Sequence, residues 1–473
     1  MIKGGNIFML NEQLIKDVLD EAVSTGADFA EIFVEQKESQ SMVMISHKVD
    51  KANLGRDFGI GIRLFQGTHS VYGYTNDPTR DNLLKTAKTL AAALSGEVVT
   101  SAIDLTRLEV INQHLIKYDL NEIPAQNRIA KMRHCSEIIT KYDSRITQSK
   151  INLSENKQHV LIANTEGLLV EDTRTRTQLG LTAVASDGDI LQTGSFGPGA
   201  HHGFEYVENL DLDTYANNTA RQAITMLEAD HCPSGKMPVV IDNGFGGVIF
   251  HEACGHGLEA TSVAKNLSVF TGRIGEKVAN SIVTAIDDGT IPNAWGSANI
   301  DDEGMKTQRN VLIENGILKS FLVDKLNSRR MDHPLTGSGR RESYRYAPTS
   351  RMTNTFIDNG SHTKEEIIAN TEYGLFAKSM GGGSVDPATG DFNFAVREGY
   401  LIRNGKIDKA VRGATLIGNG PSILPLIDMV GDNLFCEQGM CGSESGAIPA
   451  DVGQPTLRVQ EITVGGTLEE VND

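Results

Sequence analysis

The chain has 473 residues, 39% of them hydrophobic, which is too long for one ordinary core and apolar enough to fold, so two domains are expected. Its 61 acidic residues against 44 basic ones give a formal net charge of -17, a field that repels phosphate backbones and excludes direct nucleic-acid binding as the expected role. Five scattered cysteines, an odd number, point to a reducing compartment and not to a disulfide framework.

The stretch Met1 to Leu14 lacks an apolar core followed by a small-residue cleavage site, and no apolar run approaches the ~18 residues of a spanning helix. A cytoplasmic protein with no membrane contact is expected. Leu14, Ile15, Val18, Leu19 and Val23 recur at helical spacing behind Asn11, a capping residue, and predict a helix over 11–25. Short β-rich runs follow at 29–34, 41–45 and 59–65, then helical spacing over 80–94 and 120–142. Strands resume at 151–154, 159–163 and 168–170, the last two separated by the turn Thr165-Glu166-Gly167. A helical stretch at 214–228 ends before His231-Cys232-Pro233-Ser234-Gly235, the plainest boundary signal, which places the division near residue 232. In the second half, Asn315-Gly316 and Asn404-Gly405 each sit between two short strands and predict type I′ hairpins. Gly381-Gly382-Gly383 reads as a turn, and the pairs Arg329-Arg330 and Arg340-Arg341 read as solvated surface.

The segment His251-Glu252-Ala253-Cys254-Gly255-His256 carries the chemistry. With 12 histidines in the chain, His-Glu-x-x-x-His arises by chance only about 0.02 times. Two imidazoles and a carboxylate in six residues suit a divalent metal and a general base. On a regular α-helix, residues at i and i+5 point roughly 140° apart and do not converge. A single π-type turn brings them to one face, and Gly255 lets the backbone leave α geometry, so a π-bulge or helix break is expected at Ala253 to His256. The strand-and-glycine approach Val239 to Gly247 resembles a dinucleotide-binding turn only superficially, because Ile249 stands where the third glycine belongs. A third protein ligand is required. Cys254 lies between the histidines on the same turn and is expected to point elsewhere; Glu259, Cys436, Cys441 and the pair His201-His202 are available, and spacing does not choose among them.

Several further segments accompany this motif: Asn299-Ile-Asp-Asp-Glu-Gly304, Gly339-Arg-Arg-Glu-Ser-Tyr344, Arg351-Met-Thr-Asn-Thr355, Met380-Gly-Gly-Gly-Ser-Val385 and Val452-Gly-Gln-Pro-Thr-Leu457. Together and in this order they resemble the TldD/PmbA family of metalloproteases over most of the chain. The resemblance implies a zinc ion held by His251, His256 and a cysteine near the C-terminus, matched here by Cys441, with Cys436 as the fallback. It also implies unfolded or small peptides as substrates. A further implication is a dimer, either of two copies or of this metal-bearing, TldD-type chain with a related subunit lacking the motif.

The expectation is therefore an α+β protein of two mixed domains. A helix-plus-sheet domain spans residues 1–232, and a β-rich domain spanning 233–473 carries the metal helix. The expected function is zinc-dependent hydrolysis of peptide bonds, with Glu252 taking a proton from the attacking water and returning it to the leaving amine. No substrate-binding residue is singled out: Arg340, Arg341 and Arg351 read either as binders of a peptide carboxylate or as solvated strand residues. The alternative function is a non-catalytic regulatory or scaffold protein whose metal is structural, which would need four protein ligands. A redox or nucleotide-dependent enzyme is disfavoured by the lack of Cys-x-x-Cys and of a phosphate loop.

Overall fold

The computed structural model describes residues 10–96, 103–386 and 388–466. The expectation that Met1 to Leu14 carries no export signal falls largely on residues outside this set. The first helix, α1 (Glu12–Val23), begins where expected: the Asn11 side chain accepts a hydrogen bond from the Leu14 amide at 2.8 Å. Ile15, Val18, Leu19 and Ala22, one helical stripe, are its buried face.

The strands β1 (Phe29–Ile45) and β2 (Lys48–Gln66) form one long antiparallel ribbon, turned by Ser46 and His47, both at positive φ. The three short runs expected at 29–34, 41–45 and 59–65 are pieces of it. Periodicity missed the rest because the outer half of β2 is exposed on both faces, so its polar residues carry no burial signal. Backbone pairing holds it instead. Next come β3 (His69–Thr75), α2 (Arg80–Ala91), β4 (Thr106–Leu108), α3 (Ala125–Tyr142), β5 (Ile146–Asn164) and β6 (Leu168–Asp187). The sheet order is β3-β2-β1-β5-β6-β4, with β7 (Ile190–Phe196) and β8 (Gly199–Ala200) also on β6. The expected strands 151–154 and 159–163 are likewise one strand, β5, and Gly167 at φ 92° makes the turn into β6.

Alternation along β1 decides what each face meets. Ala30, Ile32 and Val34 pack with α1 and α2. Phe33, pointing the other way, packs with Val160, Ile162 and Val170 and with Ile300 and Tyr344 of the second half. Farther along the sheet, α3 and α5 (Leu212–Glu228, after the short α4, Glu205–Asn209) cover Ile151, Leu153, Leu179 and Leu181.

The second half is β-rich, so the chain as a whole is α+β. Strands Tyr373–Val385, Gly235–Ile241, Leu457–Gly465, Thr415–Asn419 and Asp391–Arg403 pair in that order, and the last pairs back onto the first to close a ring. A six-stranded sheet lies beside it, ordered Ile317–Leu318, Arg309–Glu314, Ala285–Asp288, Asn354–Ile357, Gly446–Gln454 and Phe435–Ser443. Both Asn-Gly hairpins are present: Asn315 and Gly316 have φ of 49° and 81°, and Asn404 and Gly405 have 50° and 69°.

Two expectations are corrected here. Gly381 to Gly383 form no turn but lie within the strand Tyr373–Val385, where its register against Asp391–Arg403 shifts. A Cβ on Gly383 would sit 2.1 Å from the Asn393 carbonyl oxygen, so glycine permits close backbone approach there. Arg340, Arg341 and Arg351 are not solvated: they are 7%, 3% and 0% exposed.

Buried charge, Arg341 included, fastens the two halves together. Arg63 on β2 reaches Glu31 at 3.0 Å and Glu303 at 2.6 Å, Arg341 reaches Glu31 at 2.7 Å, and Arg174 reaches Asp302 at 2.6 Å, all buried. Removing one member strands the others in a low dielectric. Arg63→Met is therefore expected to cost about 3–5 kcal/mol, measured as a lowered urea midpoint. A midpoint unchanged from the parent would show that the network contributes nothing. No helix among the described residues is long and apolar enough to cross a membrane.

Candidate metal centre

The strand Gly235–Ile241 leads through a 3-10 turn, Gly244–Gly247, into a short helix, Val248–Phe250. Gly247 is needed at the helix start, since a Cβ there would meet the backbone of Gly453 at 2.4 Å. The helix then widens. His251–Gly255 is a π-turn, closed by the His256 amide donating to the His251 carbonyl. The expected departure from α geometry is present, beginning two residues earlier than 253–256. Gly255 has a second reason to be glycine: a Cβ there would lie 2.3 Å from Sδ of Met352.

The widened turn sets the two imidazoles side by side, with ring centroids 5.4 Å apart and planes at 85°. Cys441 comes to them from the edge strand Phe435–Ser443, its Sγ 3.3 Å from Nε2 of His256. One donor atom from each of His251, His256 and Cys441 lies within 4.8 Å of the others, and all three residues are buried. Glu259 accepts a hydrogen bond from Nδ1 of His256 at 3.0 Å, which turns Nε2 towards the cysteine. Glu252 places a carboxylate oxygen 3.5 Å from that same Nε2, and its side chain is 29% exposed. It is the one group of the constellation that faces solvent.

Arg351, fully buried, holds the cysteine strand in place. Its Nη2 donates to the Cys441 carbonyl at 2.5 Å, and its Nη1 donates to Ser445 Oγ and the Gly446 carbonyl at 2.9 Å each. Burial raises the Cys441 thiol, but the facing His251 and His256 outweigh it and hold the group down at about 3. Burial disfavours imidazolium at His256, yet Glu259 and Cys441 hold its pKa well above the ordinary value. A thiolate beside two imidazoles is the donor set a soft or borderline divalent ion takes, and the 3.3 Å separation matches two donors sharing one ion at ordinary bond lengths. The residues fit a metal.

The other candidates lie elsewhere. Cys254 is buried in the core of the second half, and burial pushes its thiol up. Cys436, five residues before Cys441, packs against Gly453 and lines a cavity of about 860 Å³ with Tyr206, Trp295 and Arg397. Its thiol is pushed up to about 12 by burial. His201 stacks on His114 at 4.1 Å, and His202 faces Glu205 at 3.5 Å. Sequence reading offers Arg351 only as a binder of peptide carboxylate or a solvated strand residue, and the structure shows neither solvation nor an open site for it but a buried contact to the cysteine strand. No local signal reveals its structural task, because its partners lie about ninety residues onward.

Three family models match in sequence: PmbA/TldA metallopeptidase domain 1 over residues 30–94, the central domain over 118–227 and the C-terminal domain over 234–466. The chain belongs to the PmbA/TldD metallopeptidase family. Metalloprotease TldD homologues of Haemophilus influenzae and Buchnera aphidicola are 36% and 34% identical to it, each aligned over 97% or more of both chains. A zinc metalloprotease TldD homologue of Saccharolobus solfataricus is 29% identical over 61% of this chain and 65% of its own. Among solved structures, a putative modulator of DNA gyrase from Thermotoga maritima superposes with a TM-score of 0.79 at 21% identity, covering 96% of this chain and all of its own. TldE of Thermococcus kodakarensis gives 0.77 at 18%, with the same coverage. At these identities the two structures show a shared PmbA/TldD fold. The names of the sequence relatives support a metallopeptidase role.

Proposed function

We propose that this PmbA/TldD chain is a zinc-dependent peptidase acting on unfolded or small peptides, with His251, His256 and Cys441 as metal ligands and Glu252 as general base. The observation that carries the reading is the meeting of three buried donors beside one solvent-facing carboxylate. Three protein donors, not four, are brought together among the described residues, which is the count of a catalytic site and disfavours the scaffold alternative.

When bound, zinc supplies a positive charge that polarises a peptide carbonyl and acidifies water. Glu252 takes the proton of the attacking water and delivers it to the leaving amine. His256 is held in orientation by Glu259, so its Nε2 serves as the donor. Cys441 contributes a thiolate whose strand is pinned by Arg351, so the donor cannot swing away. Low exposure of all three ligands keeps bulk water from competing. Action as a dimer, with a second copy or a related subunit, follows from the family resemblance and is part of the same proposal.

Metal analysis by mass spectrometry tests the reading. One zinc per chain is expected, with cleavage of an unfolded peptide lost on chelation and restored by zinc. Native protein carrying no zinc, or cleavage indifferent to chelator, would sink it.

A further inference from the structure

A second cavity, of about 310 Å³, lies between the sheet of the first half and the hairpin that carries Cys441. Its walls hold five cations, Lys37, Arg174, Arg176, Arg340 and Arg341, against two carboxylates, Asp302 and Glu342. That surplus is notable in a chain of net charge -17. Asp302 accepts from Arg174 at 2.6 Å and from the Arg341 amide at 2.8 Å, and Glu342, which accepts from the neutral Ala447 amide at 2.7 Å, keeps its charge, so cations still outnumber carboxylates in the lining. Arg341 is matched by Glu31.

Arg176 and Arg340 are left over. They are 4% and 7% exposed, and among the described residues neither forms an ion pair. Arg176 donates to the carbonyls of Trp295 and Ser297 at 2.8 and 3.0 Å, and Arg340 to the carbonyl of Met352 at 2.5 Å. Neutral carbonyls orient these guanidiniums without cancelling their charge, and the carboxylates that act on them, Asp302 on both, Asp172 on Arg176 and Asp287 on Arg340, do so from beyond ion-pair distance. Burial and the repulsion of Arg340 and Arg174 push Arg176 down to about 9. Burying a charge is costly unless a counter-charge joins it, and two such groups facing one cavity call for an anion.

We infer that Arg176 and Arg340 form a subsite for a carboxylate of the peptide substrate, an inference that rests on the peptidase reading above. The planar fork of each guanidinium suits a carboxylate, and Met440 and Pro449, paired across the hairpin, offer apolar contact to the body that bears the charge. Met440 directly precedes Cys441, and successive strand residues face opposite sides. The subsite thus lies across the strand from the metal donors. It anchors the peptide away from the scissile bond, so its loss raises KM and leaves kcat unchanged.

The test compares three forms of an alternating Ala-Leu hexapeptide: free C-terminal acid, C-terminal amide, and amide with one internal Glu. Binding to the full chain is followed by calorimetry, which does not depend on cleavage. We expect a carboxylate-bearing form to bind about tenfold more tightly than the neutral amide. The form that does so identifies a terminal or a side-chain carboxylate as the ligand. The preference should vanish in Arg340→Gln and in Ala447→Glu, an exposed rim position that supplies a competing carboxylate without disturbing a buried charge. Equal binding of all three peptides to the parent chain overturns the inference. So does a preference that survives in both variants, since the carboxylate would then be held elsewhere. Carboxylate-dependent binding without cleavage of any peptide by the zinc-loaded chain, alone or with a related subunit lacking the motif, would sustain the subsite and remove the peptidase reading.

Discussion

A Glu252→Gln variant should keep one zinc per chain and lose peptide cleavage by about 100- to 10,000-fold, the span that a positioned general base contributes. The geometry explains both halves of this result. Glu252 is not one of the three buried donors, and the Glu259 and Arg351 contacts that orient His256 and Cys441 do not pass through it. Its 29% exposure also means that an amide of the same shape replaces it without a packing penalty. Metal content and fold should therefore survive while proton transfer fails. Single-turnover cleavage alongside metal analysis separates the two. Undiminished cleavage in a zinc-loaded variant would remove Glu252 from the mechanism.

Replacing Cys441 by serine should have the opposite signature, with zinc lost and activity lost along with it. A hydroxyl does not ionise near neutral pH, so the donor set falls from two imidazoles and a thiolate to two imidazoles. Changes in residues that merely orient ligands cost up to about 100-fold in metal affinity, and loss of a ligand should exceed that. Cys436→Ser provides the control. Cys436 belongs to the cavity beside Trp295 and Arg397 and should leave zinc stoichiometry at the parental value. Zinc retained in Cys441→Ser but lost in Cys436→Ser would reassign the site.

Much of this arrangement was legible before any coordinates. The Asn11 cap, the two Asn-Gly hairpins and the non-α turn at the histidines all follow from short-range geometry, where a few neighbouring residues determine φ, ψ and side-chain direction. Two kinds of feature were not legible. Long strands with solvent on both faces, such as the outer half of β2, leave no periodic trace. Buried charge was misread as surface charge, because Arg340, Arg341 and Arg351 owe their burial to partners far away in sequence. Asn299 to Gly304 illustrates the point. That dense segment invites a chemical role, yet Asp302 and Glu303 bind Arg174 and Arg63 of the first half, and Asp301 accepts three backbone amides, those of Glu303, Met305 and Gly339. Its work is to join the halves. The cysteine, 185 residues beyond His256, required knowledge of the family.

The π-turn at His251–Gly255 also bears on how such motifs change by insertion and deletion. Removing one residue between the histidines would restore the spacing of an ordinary helical turn, and it would appear locally harmless. It would also rotate everything downstream by about 100° relative to the strand that leads in. Gly255 would leave Met352, and His256, carrying Glu259 with it, would turn away from Cys441. The extra residue is therefore locked in by packing on both sides. A chain with the shorter spacing would have to rebuild the neighbouring sheet before the deletion could be tolerated.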